Sequence, residues 1–161
     1  LVICRHNEIR DELVDLASKA LIPSAVRDEP RIHSSHAATE EKEPTDPSQP
    51  AVARQRKNRN EDRGDVLIRG LWARGTDCII DVRITDLDAK SNRSRDPMKV
   101  LAAHEREKKK KYLEPCLEQR RHFTPFVVST DELLGKEAKV LLKRLSALLA
   151  EKWEKAYSEV C

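Results

Sequence analysis

Two aspartates and the basic helix that follows them hold the chemical potential of this sequence. Asp65 stands just before an apolar run, Val66-Leu-Ile-Arg-Gly-Leu-Trp72, and Asp81 lies inside a second, Cys78-Ile-Ile-Asp-Val-Arg-Ile84. Both runs are strand-like, and Arg74-Gly75-Thr76 between them makes a β-hairpin the natural connection. A turn centred near Arg74-Gly75 would set Val66 against Ile84, with Asp65 and Asp81 projecting from one face of the ladder. A bulge at Gly70 would bring them closer. Converging carboxylates repel each other, and a divalent cation removes that cost. Mg²⁺, or Mn²⁺ in its place, takes one or two protein carboxylates and completes its shell with water and phosphate oxygens. The plainer alternative is a surface hairpin with scattered aspartates.

Arg83 follows Asp81 by two residues and so shares its strand face. It can pair with Asp81 or meet a scissile phosphate, but a guanidinium keeps its proton and cannot act as a base. On the helix expected after Asp96-Pro97, His104, Lys108 and Tyr112 share one face, and Glu105, Lys109 and Cys116 form the neighbouring stripe. At least one of the lysines at 108–111 must point with Leu101 and Tyr112 towards the sheet. A lysine arriving beside two carboxylates can orient an attacking water or neutralise charge on the phosphate. Lys108 is the first candidate and Lys109 the next; otherwise the run is a solvated face. From Lys99 to Arg121 eight basic residues face four acidic ones, an electrostatic footprint for a phosphate backbone. His6, His33, His36 and His122 show no ligand spacing with one another or with Cys, and are read as solvent-facing or capping residues. There is no Gly-rich phosphate loop, no Gly-x-Ser-x-Gly elbow and no His-Glu-x-x-His.

The elements that must position these residues follow from periodicity. Ile9, Leu13, Leu16 and Ala20 mark an amphipathic helix that Asn7 can cap and Pro23 ends. From about Arg27 to Asn60, Pro, Ser, Glu, Asn and Gln dominate, and such a segment reads as a disordered linker or insertion. In the second strand Cys78, Ile80, Val82 and Ile84 form one face, and Ile79, Asp81, Arg83 and Thr85 the other. The helix opened by Asp96-Pro97 should run to about Glu118, with Met98, Leu101, Tyr112 and Leu113 inward. Phe123 to Ser129 reads as a third strand that Pro125 restricts to an edge or an entry. Ser129-x-x-Glu132 resembles a capping box opening a long helix that carries Leu134, Ala138, Leu141, Leu145, Leu148 and Trp153 on one face. The predicted organisation is an N-terminal helix (1–26), an insertion (27–60), a hairpin–helix–strand core (61–130) and a C-terminal helix (131–161).

Composition bounds the rest. The 161 residues suit one domain, 37% of them charged and 39% apolar, with a net charge of only +3. No stretch approaches the roughly 18 consecutive apolar residues of a membrane span. Aromatics at 4% weaken any stacking platform for single-stranded nucleic acid. Cys4, Cys78, Cys116 and Cys161 lie far apart, against both a disulfide scaffold and a zinc finger. Nothing near Leu1 reads as a secretion signal, and the chain reads as a piece of a longer translation product.

The string Asp65…Asp81-Val-Arg83, followed by Lys108-Lys-Lys-Lys-Tyr112, resembles the PD-(D/E)xK restriction-like nucleases. More narrowly, it is similar to the endonuclease domain that follows a reverse transcriptase and a Cys/His knuckle in site-specific non-LTR retrotransposon polyproteins. Their pattern is a Pro-Asp, a strand, an acidic residue followed by Val, and a catalytic Lys on the next helix near a Tyr. Arg5-His6-Asn7 also resembles the triplet that opens such domains, and the likeness covers about half the chain, residues 4–20 and 63–130. Gly64 stands where that pattern has Pro, and Arg83 where the wider superfamily has Lys. The resemblance implies a restriction-endonuclease-like α/β fold, a small mixed sheet flanked by helices. It implies a Mg²⁺- or Mn²⁺-dependent endonuclease that nicks DNA for element insertion in the nucleus, fused to a reverse transcriptase and acting with element RNA. Asp65 and Asp81 would hold the metal, with Glu12 as a further acidic ligand from the first helix. Lys108 or Lys109 would act near the phosphate, and Arg83 and Tyr112 would support them. A decayed relative that only binds nucleic acid, or a module that pairs through the Leu134–Trp153 helix face, are the competing readings.

Overall fold

The structure is a computed structural model that describes residues 2–30, 32 and 63–160. Helix α1 (Val2–Ala20) leads through a 3-10 turn (Pro23–Ala25) into strand β1 (Val26–Asp28). Strands β2 (Val66–Arg69) and β3 (Asp77–Thr85), helix α2 (Pro97–Glu118), strand β4 (His122–Ser129) and helix α3 (Lys136–Val160) follow. The strands form one mixed sheet in the order β1-β2-β3-β4, antiparallel except for the parallel β3–β4 pair. The fold is therefore α/β, a small mixed sheet flanked by helices, as the sequence predicts. Among the described residues no helix is long and apolar enough to cross a membrane.

The period-2 alternation of β3 sorts the core into two layers. Val66, Ile68, Cys78, Ile80, Val82, Phe126 and Val128 meet Leu13 and Ala17 of α1 and Ala138, Leu141 and Leu145 of α3. On the opposite face Leu67, Ile79 and Phe123 pack with Ile32 and with Tyr112 and Cys116 of α2. Each fully buried Leu, Ile or Phe contributes about 1.5–3 kcal/mol, so both helix layers are held chiefly by these contacts. Helix α2 starts as expected, with the Asp96 carboxylate accepting from the Met98 amide at 3.1 Å and Pro97 in the first turn. Strand β4 is an edge strand, which accommodates the missing amide of Pro125.

Several expectations need correction. The hairpin register is Val66↔Ile80 rather than Val66 with Ile84. Strand β2 stops at Arg69 because Gly70 turns at φ 84° and Leu71 curls back into the core. Trp72 follows it inward and donates its indole N–H to Thr124 Oγ1 at 3.1 Å. The expected disorder from Arg27 is also wrong at its start. Val26–Asp28 pairs with β2, and Ile32 is fully buried; residues 31 and 33–60 of that stretch lie outside the described residues. Helix α1 begins at Val2, so Asn7 lies within it and caps nothing. Met98 is exposed, and Val100 turns inward instead. Trp153, expected on the inner face of α3, is 67% exposed.

The capping box at Ser129 does not form. Ser129 Oγ accepts from the Leu133 amide at 2.9 Å, Leu134 bridges Val128, and α3 starts only at Lys136. Its first turn is capped from a distance. Buried Glu105 of α2 accepts the Glu137 amide on Oε1 at 2.9 Å, satisfying one of the orphan donors of a helix start. Burial pushes the Glu105 carboxyl above its ordinary range, while the Glu137 amide bond pulls it back. A folded value above the unfolded one means stability declines as pH rises from the ordinary carboxylate range through the folded value. Glu105→Ala should cost about 1–2 kcal/mol through the lost cap. Glu105→Gln keeps an acceptor and should remain near the parent, with a flatter pH dependence. Urea unfolding at several pH values reads both.

Candidate functional site

Asp65 and Asp81 face each other across the β2–β3 ladder, one step beyond the Val66↔Ile80 pair. The Asp65 amide donates to the Ile80 carbonyl at 2.9 Å, and there the chain leaves β3. The Gly64 amide turns to the Pro30 carbonyl at 2.9 Å, leaving the Val82 N–H without a backbone partner. Asp65 Oδ2 takes that N–H at 2.6 Å. This geometry explains Gly64. A proline would lose the amide bond to Pro30, and any Cβ here would sit 2.3 Å from Ile79 Cγ2.

Asp81 projects from the α2-facing side of β3 and is only 6% exposed. Lys108 descends from α2 to bring Nζ within 2.6 Å of Asp81 Oδ2. The ammonium lies at contact distance but off the hydrogen-bonding direction, so this buried oxygen has charge compensation without a directed donor. Burial raises the Asp81 carboxyl above its ordinary range, the Lys108 charge pulls it back, and the Asp65 carboxylate pushes it up again. Lys108 also lies 5.6 Å from the centre of the Tyr112 ring.

The other predicted residues are placed differently. Arg83 Nη1 pairs with Glu107 Oε2 of α2 at 3.0 Å, not with Asp81. Lys109 bonds to Glu137 at the start of α3 and does not join the carboxylate pair. Tyr112 is a core residue, its ring 5.6 Å from that of Phe123, and it supports Lys108 from below. Glu12 is exposed on α1 beside Phe126, Val128 and Glu132, away from both aspartates. Lys108, with His104 and Tyr112, belongs to the helix face that meets the sheet. His104 Nδ1 and Thr85 Oγ1 are 2.7 Å apart, completing a polar seam of Asp81–Lys108, Arg83–Glu107 and Thr85–His104.

One neighbour escaped the sequence reading. His6 of α1 places Nε2 3.2 Å from Asp65 Oδ2. A signal existed: His6, Ile9 and Leu13 keep the helical spacing of the inward stripe. Cysteine chemistry is absent from this site. Burial pushes the thiols of Cys78 and Cys116 up to about 11, which keeps both protonated and unreactive.

Among the described residues no group of three or more His, Cys, Asp or Glu side chains is arranged to hold a metal ion. Two opposed carboxylates are the oxygen ligands that a hard cation takes alongside water and phosphate. The buried Asp81 oxygen, however, is held by the Lys108 ammonium here, which would have to move aside. Comparison with protein-family models, curated proteins and solved structures found no match.

Removing Lys108 leaves a buried carboxylate uncompensated, which costs about 3 kcal/mol in comparable pairs. Lys108→Ala should be destabilised by roughly that amount at neutral pH. Its Asp81 pKa rises further, so the native state holds that proton to higher pH and the loss shrinks as the medium is acidified. Adding Asp81→Asn should restore much of the stability. Chemical denaturation at neutral and mildly acidic pH measures all three states; an equal loss at both pH values would mean the pair carries no charge coupling.

Proposed function

We propose that this chain is a metal-dependent DNA endonuclease module that hydrolyses a phosphodiester bond, of the kind that nicks target DNA for retroelement insertion. The observation that carries this reading is the convergence of Asp65, Asp81 and Lys108 from three separate elements. Mg²⁺ or Mn²⁺, when bound, supplies Lewis-acid charge at the phosphate and a more acidic water. The chain's own residues set the stage for it. Asp65 and Asp81 offer the hard oxygen ligands, and the backbone N–H of Val82 fixes the Asp65 carboxylate in place. Lys108 rests on Asp81 in the free protein and would turn its ammonium to the non-bridging phosphate oxygens as their charge grows. His6 holds the outer side of Asp65. The lysines and arginines of α2 supply backbone attraction whose strength falls with salt. By the same reading DNA is the partner, element RNA and a reverse transcriptase act alongside it, and the site of action is the nucleus.

A second reading rests on the same contacts. Asp65 already has structural duties to Val82 and His6, which suits a relative that binds nucleic acid without cutting it. On the Leu134–Trp153 face of the third reading, Ala138, Leu141 and Leu145 pack into the chain's own core, while Trp153 is 67% exposed.

Nicking of a supercoiled plasmid in Mg²⁺ or Mn²⁺ separates the possibilities. Asp81→Asn and Lys108→Ala should each lose about a hundredfold or more in rate, with each ~1.4 kcal/mol of lost stabilisation worth tenfold. Duplex affinity at one fixed salt concentration should change little, and Arg83→Lys should cut normally. DNA binding without metal-dependent nicking by the parent chain would establish the non-catalytic relative. Neither binding nor nicking would reject both.

A further inference from the structure

A groove of about 830 Å³ lies on the far side of the sheet, between α1 and α3 over β4. Its floor is apolar: Leu13, Leu16, Phe126, Val128, Leu134 and Leu142. Its rim is acidic, formed by Asp11, Glu12, Asp15 and Glu132. A smaller hollow of about 350 Å³ continues it past Glu8 towards Arg5 and shares Ile9, Glu12, Val128 and Glu132. Two of these carboxylates have cations beside them, Asp11 with Arg10 at 3.1 Å and Asp15 with Lys19 at 2.7 Å. Glu8, Glu12 and Glu132 have no ion-pair partner among the described residues. Glu8 and Glu12 sit one helical turn apart, where like charges repel.

We propose that this groove docks a basic amphipathic helix of another protein, its apolar face on the leucine floor and its Lys or Arg side chains on the carboxylate rim. Charge and shape both select that occupant. The rim repels phosphate, so neither nucleic acid nor an anionic lipid surface suits it. The floor rewards aliphatic side chains at helical spacing, the pattern by which helices settle into apolar grooves. A second copy of this chain is a poorer fit, because most apolar residues of its helices pack in its own core, and Met98, Leu117, Val140 and Trp153 are the exposed large ones on α2 and α3 among the described residues. The inference stands on observations separate from the carboxylate pair and does not depend on the nuclease reading.

The test uses the full chain, isotope-labelled for NMR, titrated with a synthetic helix of Leu and Lys at amphipathic spacing and with its scrambled counterpart. The amphipathic peptide should perturb Leu16, Phe126 and Leu142 first, and the scrambled one should bind at least about tenfold more weakly, ~1.4 kcal/mol. Glu12→Lys with Glu132→Lys should weaken binding by a similar factor, and Leu142→Gln should do so without altering the rim. All three positions lie at the surface or half-buried, and thermal unfolding checks that each variant folds. Equal binding of the two peptides, perturbations scattered outside the groove, or indifference to these variants would overturn the proposal. Concentration-dependent self-association that perturbs the same residues would overturn it too, assigning the groove to a second copy.

Discussion

A carboxylate buried on the sheet face beneath α2 is the constraint around which this structure is arranged. Asp81 sits between Ile79 and Arg83 on the side of β3 that α2 covers, and its charge must be met from that helix. Lys108 meets it, which fixes how far along β3 the helix can slide. Arg83 with Glu107 and Thr85 with His104 then fall into place farther along the same interface. Buried ion pairs seldom add net stability over a well-packed apolar pair, because desolvation opposes the Coulomb gain. Their value here is register: a displaced α2 would strand Asp81 without a cation.

Helix α2 distributes its neighbouring stripes between two tasks. His104, Lys108 and Tyr112 face the sheet, while Glu105 and Lys109 reach the first turn of α3. The position of α3 thus depends on the same helix that closes the carboxylate pair. Gly135 makes this approach possible, since a Cβ there would lie 2.3 Å from Glu105 Oε1. The lysine run lies on α2, and Glu8, Glu12 and Glu132 lie around the groove beside α1, on the other side of the sheet.

Much of this was legible in the sequence, and the failures have physical causes. Alternation in Cys78–Thr85 sorts the two sheet faces correctly, because side-chain period does not depend on partners. The i, i+4 spacing of His104, Lys108 and Tyr112 likewise gathers them on one face. Hairpin register was not legible, since it depends on Leu71 and Trp72 folding back into the core, a tertiary event. Strand β1 escaped because Val26-Arg-Asp28 pairs through its backbone and carries little apolar signal. The local capping signal at Ser129-x-x-Glu132 yielded to a cap from Glu105, which no short-range pattern could announce. Lys109 was drawn to α3 for the same reason. Gly64, a departure from the motif it resembles, is understood only once the close approach to Ile79 is seen.

The joint role of Asp65 and Asp81 is tested most directly by titrating the isotope-labelled chain with Mn²⁺ and following paramagnetic broadening of its amide signals. If the pair binds the ion, the amides of Asp65, Asp81 and Val82 broaden first, and Asp81→Asn abolishes that selectivity. Broadening centred instead on Glu8, Glu12 and Glu132, or unchanged in Asp81→Asn, would contradict a metal site at the opposed carboxylates.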